Sequence, residues 1–218
     1  MGASWRLAPL YLMQRLVLAT RNARKTHEFG QILGNEFEIS DLSSAASVPD
    51  IRETGRTFEE NAILKAVAVS RDRHVQDRHL LVAADDSGLE VDALGGAPGI
   101  YSARYAGENA TDKENIDKLL YELARVNAHG SKRSARFRCA IALARGGKLL
   151  RTFRGIVEGM IADLPQGSHG FGYDPVFVPK GFDKTFGELP AQLKNQISHR
   201  ARAICALRAG LANLEPGD

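Results

Sequence analysis

Asp85, Asp86, Ser87 and Gly88 follow the apolar run His79–Ala84, so two adjacent carboxylates stand where a buried strand is expected to end. Carboxylates in such a place can reach a divalent metal and an activated water. The same four residues also suit an ordinary turn. Thr20-Arg21-Asn22-Ala23-Arg24-Lys25 lies where a strand gives way to a helix, and the outward N–H groups and helix dipole of such a junction bind phosphate. Asn22 as a plain helix cap, with Arg24 and Lys25 solvated, explains that run equally well. Glu53, Glu60, Asn61 and Lys65 gather around Thr57-Phe58 at a helix start, where acids also suit the dipole. In Gly170-Phe171-Gly172-Tyr173-Asp174-Pro175 the glycines permit unusual backbone angles and leave an aromatic ring near an open surface, where a base can stack. Lys194 and Ser198-His199-Arg200 add cationic and hydrogen-bonding groups near the last helix.

The elements around these residues alternate. Arg15–Thr20 suits a buried strand, and Phe29, Ile32 and Leu33 follow at helical spacing up to Gly34. A second helix is expected over Glu59–Arg73, then the strand ending at Ala84. Thr111-Asp112-Lys113-Glu114 spells a capping box ahead of Ile116, Leu119, Leu120 and Leu123. From Ala135 the period changes to two, with Phe137, Cys139, Ile141 and Leu143 on one side, Gly146-Gly147 as a turn and Leu149–Val157 as the return strand. Pro175–Val178 is a further short strand, and Ser198 caps a final helix carrying Ile204, Leu207, Leu211 and Leu214. Early alternation and a late hairpin predict an α/β fold with a mixed sheet.

Composition narrows the class. Hydrophobic residues at 44% and charged residues at 25% of 218 exclude a disordered or fibrous chain. No apolar run approaches the roughly 18 residues of a membrane span, and Met1–Gln14 lacks a secretory cleavage pattern. Cys139 and Cys205 stand far apart without a metal-binding spacing, which fits a reducing cytosol. A net charge of +3 falls short of a nucleic-acid-binding footprint. Nothing matches the P-loop pattern.

Taken in order, LATRNARK (18–25), ETGRTFEENAILKA (53–66), ADDSGLEVDALGGAPGIYSARYAG (84–107), GFGYDPVF (170–177) and SHR (198–200) resemble the inosine triphosphate pyrophosphatase, or Ham1-like, family over about Leu16–Leu211. The resemblance implies an elongated mixed sheet in two lobes around a central cleft, with residues 15–218 as one domain after an extension of residues 1–14, and a cytoplasmic homodimer. It implies Mg²⁺-dependent hydrolysis of non-standard purine triphosphates (ITP, dITP, XTP) to the monophosphate and pyrophosphate. By position, Thr20 to Lys25 and Lys65 would hold phosphates, Glu53 and Asp86 the metal, and Asp86 would act as general base with Ser87 as a substrate contact. Phe171, Gly172, Tyr173, Asp174, Lys194, His199 and Arg200 match the nucleotide and base contacts, while Arg21 stands where many relatives carry glycine. Lys25, Lys65, Lys194 and Mg²⁺ together would offset most of the triphosphate charge. A Maf-like nucleotide pyrophosphatase and a non-catalytic nucleotide-binding module are the alternatives.

Overall fold

Leu16, Val17 and Leu18 are all buried, as expected of a strand covered on both faces. They belong to β1 (Gln14–Leu18), which pairs in parallel with β2 (Phe37–Asp41) on one side and β3 (Leu81–Val91) on the other. The computed structural model describes residues 14–43, 45, 48–49, 51–72 and 80–214. The expected N-terminal extension therefore lies outside the described residues apart from Gln14, as do His79 and Arg73 at the edges of two expected elements.

Helix α1 (Ala23–Leu33) connects β1 to β2, and α2 (Phe58–Arg71) lies between β2 and β3. Asn22 and Thr57 cap these helices through their side chains. Helix α3 (Asp112–Arg125) begins with the expected capping box, in which Thr111 and Glu114 exchange hydrogen bonds. Strands β4 (Ser134–Arg145) and β5 (Lys148–Ile161) form the expected hairpin on Gly146-Gly147, both at positive φ. Short β6 (Phe177–Pro179), α4 (Ala191–Ile197) and α5 (His199–Leu211) complete the chain. The sheet order is β2-β1-β3-β4-β5-β6, parallel across the first three strands and antiparallel beyond, so it is mixed as expected.

On one face, Leu16, Leu18, Ala83, Cys139 and Ile141 pack against Phe29 of α1 and Ile204 and Leu207 of α5. On the other, Val17, Val82, Ala84, Ala140 and Ala142 pack against Phe58, Ala62, Ala66 and Val69 of α2. A third cluster joins Leu89, Phe137 and Val157 to Leu119 of α3 and to Phe177 and Phe186. Among the described residues no helix is long and apolar enough to cross a membrane.

Three local expectations change. Asp85–Gly88 lie inside β3 rather than at its end or in a turn, because β4 offers each a partner, from Asp85 opposite Ile141 to Gly88 opposite Arg138. The strand expected at Pro175–Val178 is a 3₁₀ turn, Asp174–Val176, followed by β6, since Pro175 suits a turn start and brings no N–H to a ladder. β2 and α4 were not foreseen: FEISD alternates over only five residues, and seven residues of α4 are too few for a helical period to stand out.

Candidate active site

The pairing of β1 with β3 stops at Ala83, while β3 continues to Val91 with β4 alone along its other edge. Between Ala84 and Gly88 the β1-side edge of β3 pairs with no strand among the described residues, before Ser102 Oγ, Pro98 and Ala97 O cover it at Leu89–Val91, and both faces of the strand reach the same cleft across the gap. Side chains alternate along a strand. Asp85 and Ser87 therefore turn toward α1 and α5, and Asp86 turns toward α2. All three line a cleft of about 480 Å³, together with Thr20, Lys25, Glu53, Lys65, Phe171, Lys194, His199 and Arg200. That size suits a small-molecule ligand.

On the α2 side, Lys65 Nζ lies 2.8 Å from Glu53 Oε1 and 3.6 Å from Asp86 Oδ1. Asn61 Nδ2 donates to Asp86 Oδ2 at 3.1 Å, and Arg104 sits 3.6 Å from Glu53 Oε2. Burial raises the Asp86 pKa above the ordinary aspartate value, and the nearby Glu53 charge raises it further, while Lys65 pulls the other way. Burial alone would depress Lys65, yet the charges of Asp86 and Glu53 hold its pKa above the usual lysine value. Two carboxylates thus face one cation position. Among the described residues no three His, Cys, Asp or Glu side chains gather into a metal-sized group. Hard oxygen donors in this number fit Mg²⁺, which is commonly bound by one or two carboxylates together with substrate phosphates.

On the opposite side, charges alternate in a chain. Lys25 Nζ meets Asp85 Oδ1 at 2.9 Å, and Arg200 reaches Asp85 Oδ2 through Nε at 3.3 Å, Ser87 Oγ through Nη2 at 2.7 Å and Glu28 through Nη1 at 2.6 Å. Glu28 also accepts from Lys194 Nζ at 3.1 Å, and Lys194 reaches Asp174 Oδ2 at 2.6 Å. Burial opposes the ionised form of Asp85, but Lys25 and Arg200 outweigh it and hold its carboxyl well below the usual range. Glu28 is likewise lowered against its burial by Arg200 and Lys194. Asp174 goes the other way, since burial outweighs Lys194.

The Phe171 ring lies over this chain, with Lys194 at 4.8 Å, Arg200 at 5.4 Å and Arg24 at 5.7 Å from its centroid. Gly170 permits the loop, because its φ is +76° and a Cβ there would meet Asp174 Oδ2 at 2.0 Å. Phe171 N–H donates to Asp174 Oδ2 at 2.8 Å, and Gly172 N–H to Asp112 Oδ2 at 2.9 Å. Tyr173 is buried and its hydroxyl donates to Ser102 O at 2.9 Å.

His199 is 5% exposed and stacks on Phe137 at 4.6 Å and 12°. Burial, reinforced by Arg200 and Lys194, drives its pKa far below the ordinary histidine value, so its ring is neutral. Its Nδ1 has no hydrogen-bond partner among the described residues. The ring is set by close packing: a Cβ on Gly155 of β5 would lie 2.0 Å from His199 O.

Of the run Thr20–Lys25, Ala23 does not line the cleft. Asn22 Oδ1 accepts the N–H groups of Arg24 and Lys25, so the capping role is real and an arriving phosphate must share those donors. Arg21 donates to Val48 O at 2.6 Å, which tethers the segment after β2. Lys25, Lys65 and Lys194, expected to offset triphosphate charge, all line the cleft. Each is paired with carboxylates, and Lys194 lies under Phe171 beside Asp174 and Glu28.

The Ham1 family model matches residues 16–210. The dITP/XTP pyrophosphatase of Bacillus subtilis is 47% identical over 196 residues, covering 89% of this chain and 96% of the relative. The chain belongs to the Ham1 family. Among solved Ham1 proteins, that of Coxiella burnetii superposes with a TM-score of 0.81 at 43% identity, covering 93% of this chain and all of that one. The Staphylococcus aureus Ham1 protein gives 0.78 at 44% identity, covering 91% and 98%.

Within this Ham1 cleft two acids escaped sequence reasoning. Glu28 holds Lys194 and Arg200 together, and its signal was the spacing Asn22, Lys25, Glu28, which places all three on one helix face. Asp112 was read only as part of a capping box, and no local pattern links it to Gly172, which is 60 residues away.

Proposed function

We propose that this chain hydrolyses non-standard purine nucleoside triphosphates (ITP, dITP and XTP) to the monophosphate and pyrophosphate, as a Mg²⁺-dependent enzyme and a homodimer. The observation that carries this reading is the contrast between neighbours: both Asp85 oxygens are engaged by Lys25 and Arg200, whereas Asp86 accepts from Asn61 on one oxygen and keeps the other, 3.6 Å from Lys65, toward the cleft. A carboxylate oxygen with this freedom, within reach of a cleft water, suits a general base. Asp86 takes a proton from water, whose oxygen bonds to the α-phosphorus as the bond to the bridging oxygen of pyrophosphate breaks. Asn61 and Lys65 orient Asp86 for that step. Glu53 and Asp86 would hold Mg²⁺, which when bound offsets phosphate charge and favours departure of pyrophosphate. Thr20, Asn22 and Lys25, at the start of α1, bind phosphate oxygens.

The base lies against Phe171, with its edge toward His199 and Arg200. Hypoxanthine and xanthine present an acceptor O6 and a donor N1–H, whereas adenine presents the reverse. Adenine therefore sets donor against donor, and two such clashes lower kcat/KM by roughly 10²–10⁴. Guanine keeps the O6 and N1–H pattern, so its exclusion acts at the 2-amino group.

The test is pyrophosphate release with Mg²⁺ over a panel of ITP, dITP, XTP, ATP, GTP, CTP and UTP. ITP, dITP and XTP should lead by at least about 100-fold over ATP. Equal turnover of ITP, GTP and ATP overturns the base-edge reading. A preference for pyrimidine triphosphates favours a Maf-like enzyme, and no turnover a binding module.

A further inference from the structure

Asp112 occupies a place where three separate elements meet. It is the first residue of α3, and its side chain is about half exposed on the cleft wall. Its Oδ2 accepts Gly172 N–H at 2.9 Å and pairs with Arg24 Nη1 at 3.3 Å. Arg24 in turn lies over the Phe171 ring. The two amides on either side of the Phe171 residue are thus each held by a carboxylate. Asp174 takes the N–H of Phe171 from inside, and Asp112 takes the N–H of Gly172 from outside.

The helix cap does not need Asp112, because Thr111 and Glu114 complete the capping box by themselves. An acid on the wall of a polyanion cleft opposes binding unless it serves something else. Here the N-terminal dipole of α3 stabilises the carboxylate, and its acceptor capacity goes to the aromatic loop and to Arg24.

We propose that Asp112 is a positioning residue for the nucleotide base: it holds the 170–173 loop so that the Phe171 ring stays at the stacking position, and it ties that loop to the start of α1. The inference rests on the proposed stacking of a purine on Phe171. Asp112 is bound to Gly172 and Arg24 and to none of Glu53, Lys65 or Asp86, so its loss should appear in KM rather than in kcat.

The experiment is a double-mutant cycle on the full chain with ITP and Mg²⁺. Asp112→Ala should raise KM roughly five- to tenfold with kcat within about twofold, while the melting temperature stays near that of the native chain. Asp112→Asn keeps an oxygen that can accept Gly172 N–H, so it should recover most of that loss, although its pairing with Arg24 is gone. In a Phe171→Ala background the same Asp112→Ala change should have almost no further effect, because there is no ring left to position. An unchanged KM in Asp112→Ala, or an undiminished effect in the Phe171→Ala background, overturns the proposal while leaving the stacking reading intact. A Phe171→Ala enzyme with native KM removes the stacking reading and the proposal with it.

Discussion

Asp85 and Asp86 are neighbours in the chain, yet their surroundings shift them in opposite directions. Asp85 turns toward α1 and α5, where Lys25 and Arg200 saturate both its oxygens and hold it ionised. Asp86 turns toward α2, where Asn61 holds one oxygen, Lys65 stands at 3.6 Å from the other, and Glu53 adds a second negative charge. Strand geometry alone separates them. The difference teaches that one strand can hold a fixed electrostatic bridge and a less tightly held carboxylate, the proposed base, side by side, because each face draws its partners from different helices.

The largest expected effect falls on the α2 side. Asp86→Asn should lower kcat by roughly 10²–10⁴, the range for a lost general base, with folding intact by circular dichroism. Near-native turnover would move the base to Glu53 or Asp85 and remove the contrast.

Stability should divide the pair in the opposite sense. Asp85→Asn leaves Lys25 and Arg200 short of a buried counter-charge and should cost about 3–5 kcal/mol in denaturant unfolding at pH 7. Asp86→Asn, measured without added Mg²⁺, should change stability by less than about 1 kcal/mol, since the folded protein disfavours the charge it removes. The sign with pH follows from the lowered Asp85 value. Its contribution is present in full above the unfolded pKa of about 3.9 and is lost as pH falls through the folded value. The gap between Asp85→Asn and the native chain should therefore narrow only below about pH 4. Equal losses in both variants would mean that the two aspartates share one electrostatic environment.

The smallest effect concerns His199. Its folded pKa is depressed, so the unfolded chain binds the extra proton, and stability present above the unfolded value of about 6.5 declines below it. The slope is about 1.4 kcal/mol per pH unit until the folded pKa is reached. Melting curves from pH 7.5 to 5.5, chosen on the basis of that unfolded value of about 6.5, should lose this slope in His199→Gln. A slope that persists in the variant would place the proton on another group.

Much of this was legible in the residues themselves. The capping box at Thr111, the hairpin on Gly146-Gly147 and the Ser198 cap of α5 all depend on neighbours in sequence, and all three form. The segments that carry Glu53, Lys65 and Asp86, and Phe171, Lys194 and Arg200, were picked out by the family resemblance, and in the fold they meet. What escaped depends on contacts across the fold. Asp85–Gly88 read either as the end of a strand or as a turn, because two acids and a glycine suit both, and only pairing with β4 makes them the middle of a strand. The partners of Lys194 could not be read, because the sequence places Glu28 and Asp174 far from it while the fold sets both against it.

Gly155 carries a consequence for how this site is lost. It lies on β5, outside the cleft, and bears no chemistry, yet the carbonyl of His199 occupies the space where its side chain would begin. Any residue larger than glycine there must push the first turn of α5 away from the sheet, and that turn carries His199 and Arg200 together. A single methyl group on β5 would thus displace the proposed base-edge contact and the clamp on Asp85, Ser87 and Glu28 in one movement, so a silent-looking position in a strand can be inherited as a defect in both.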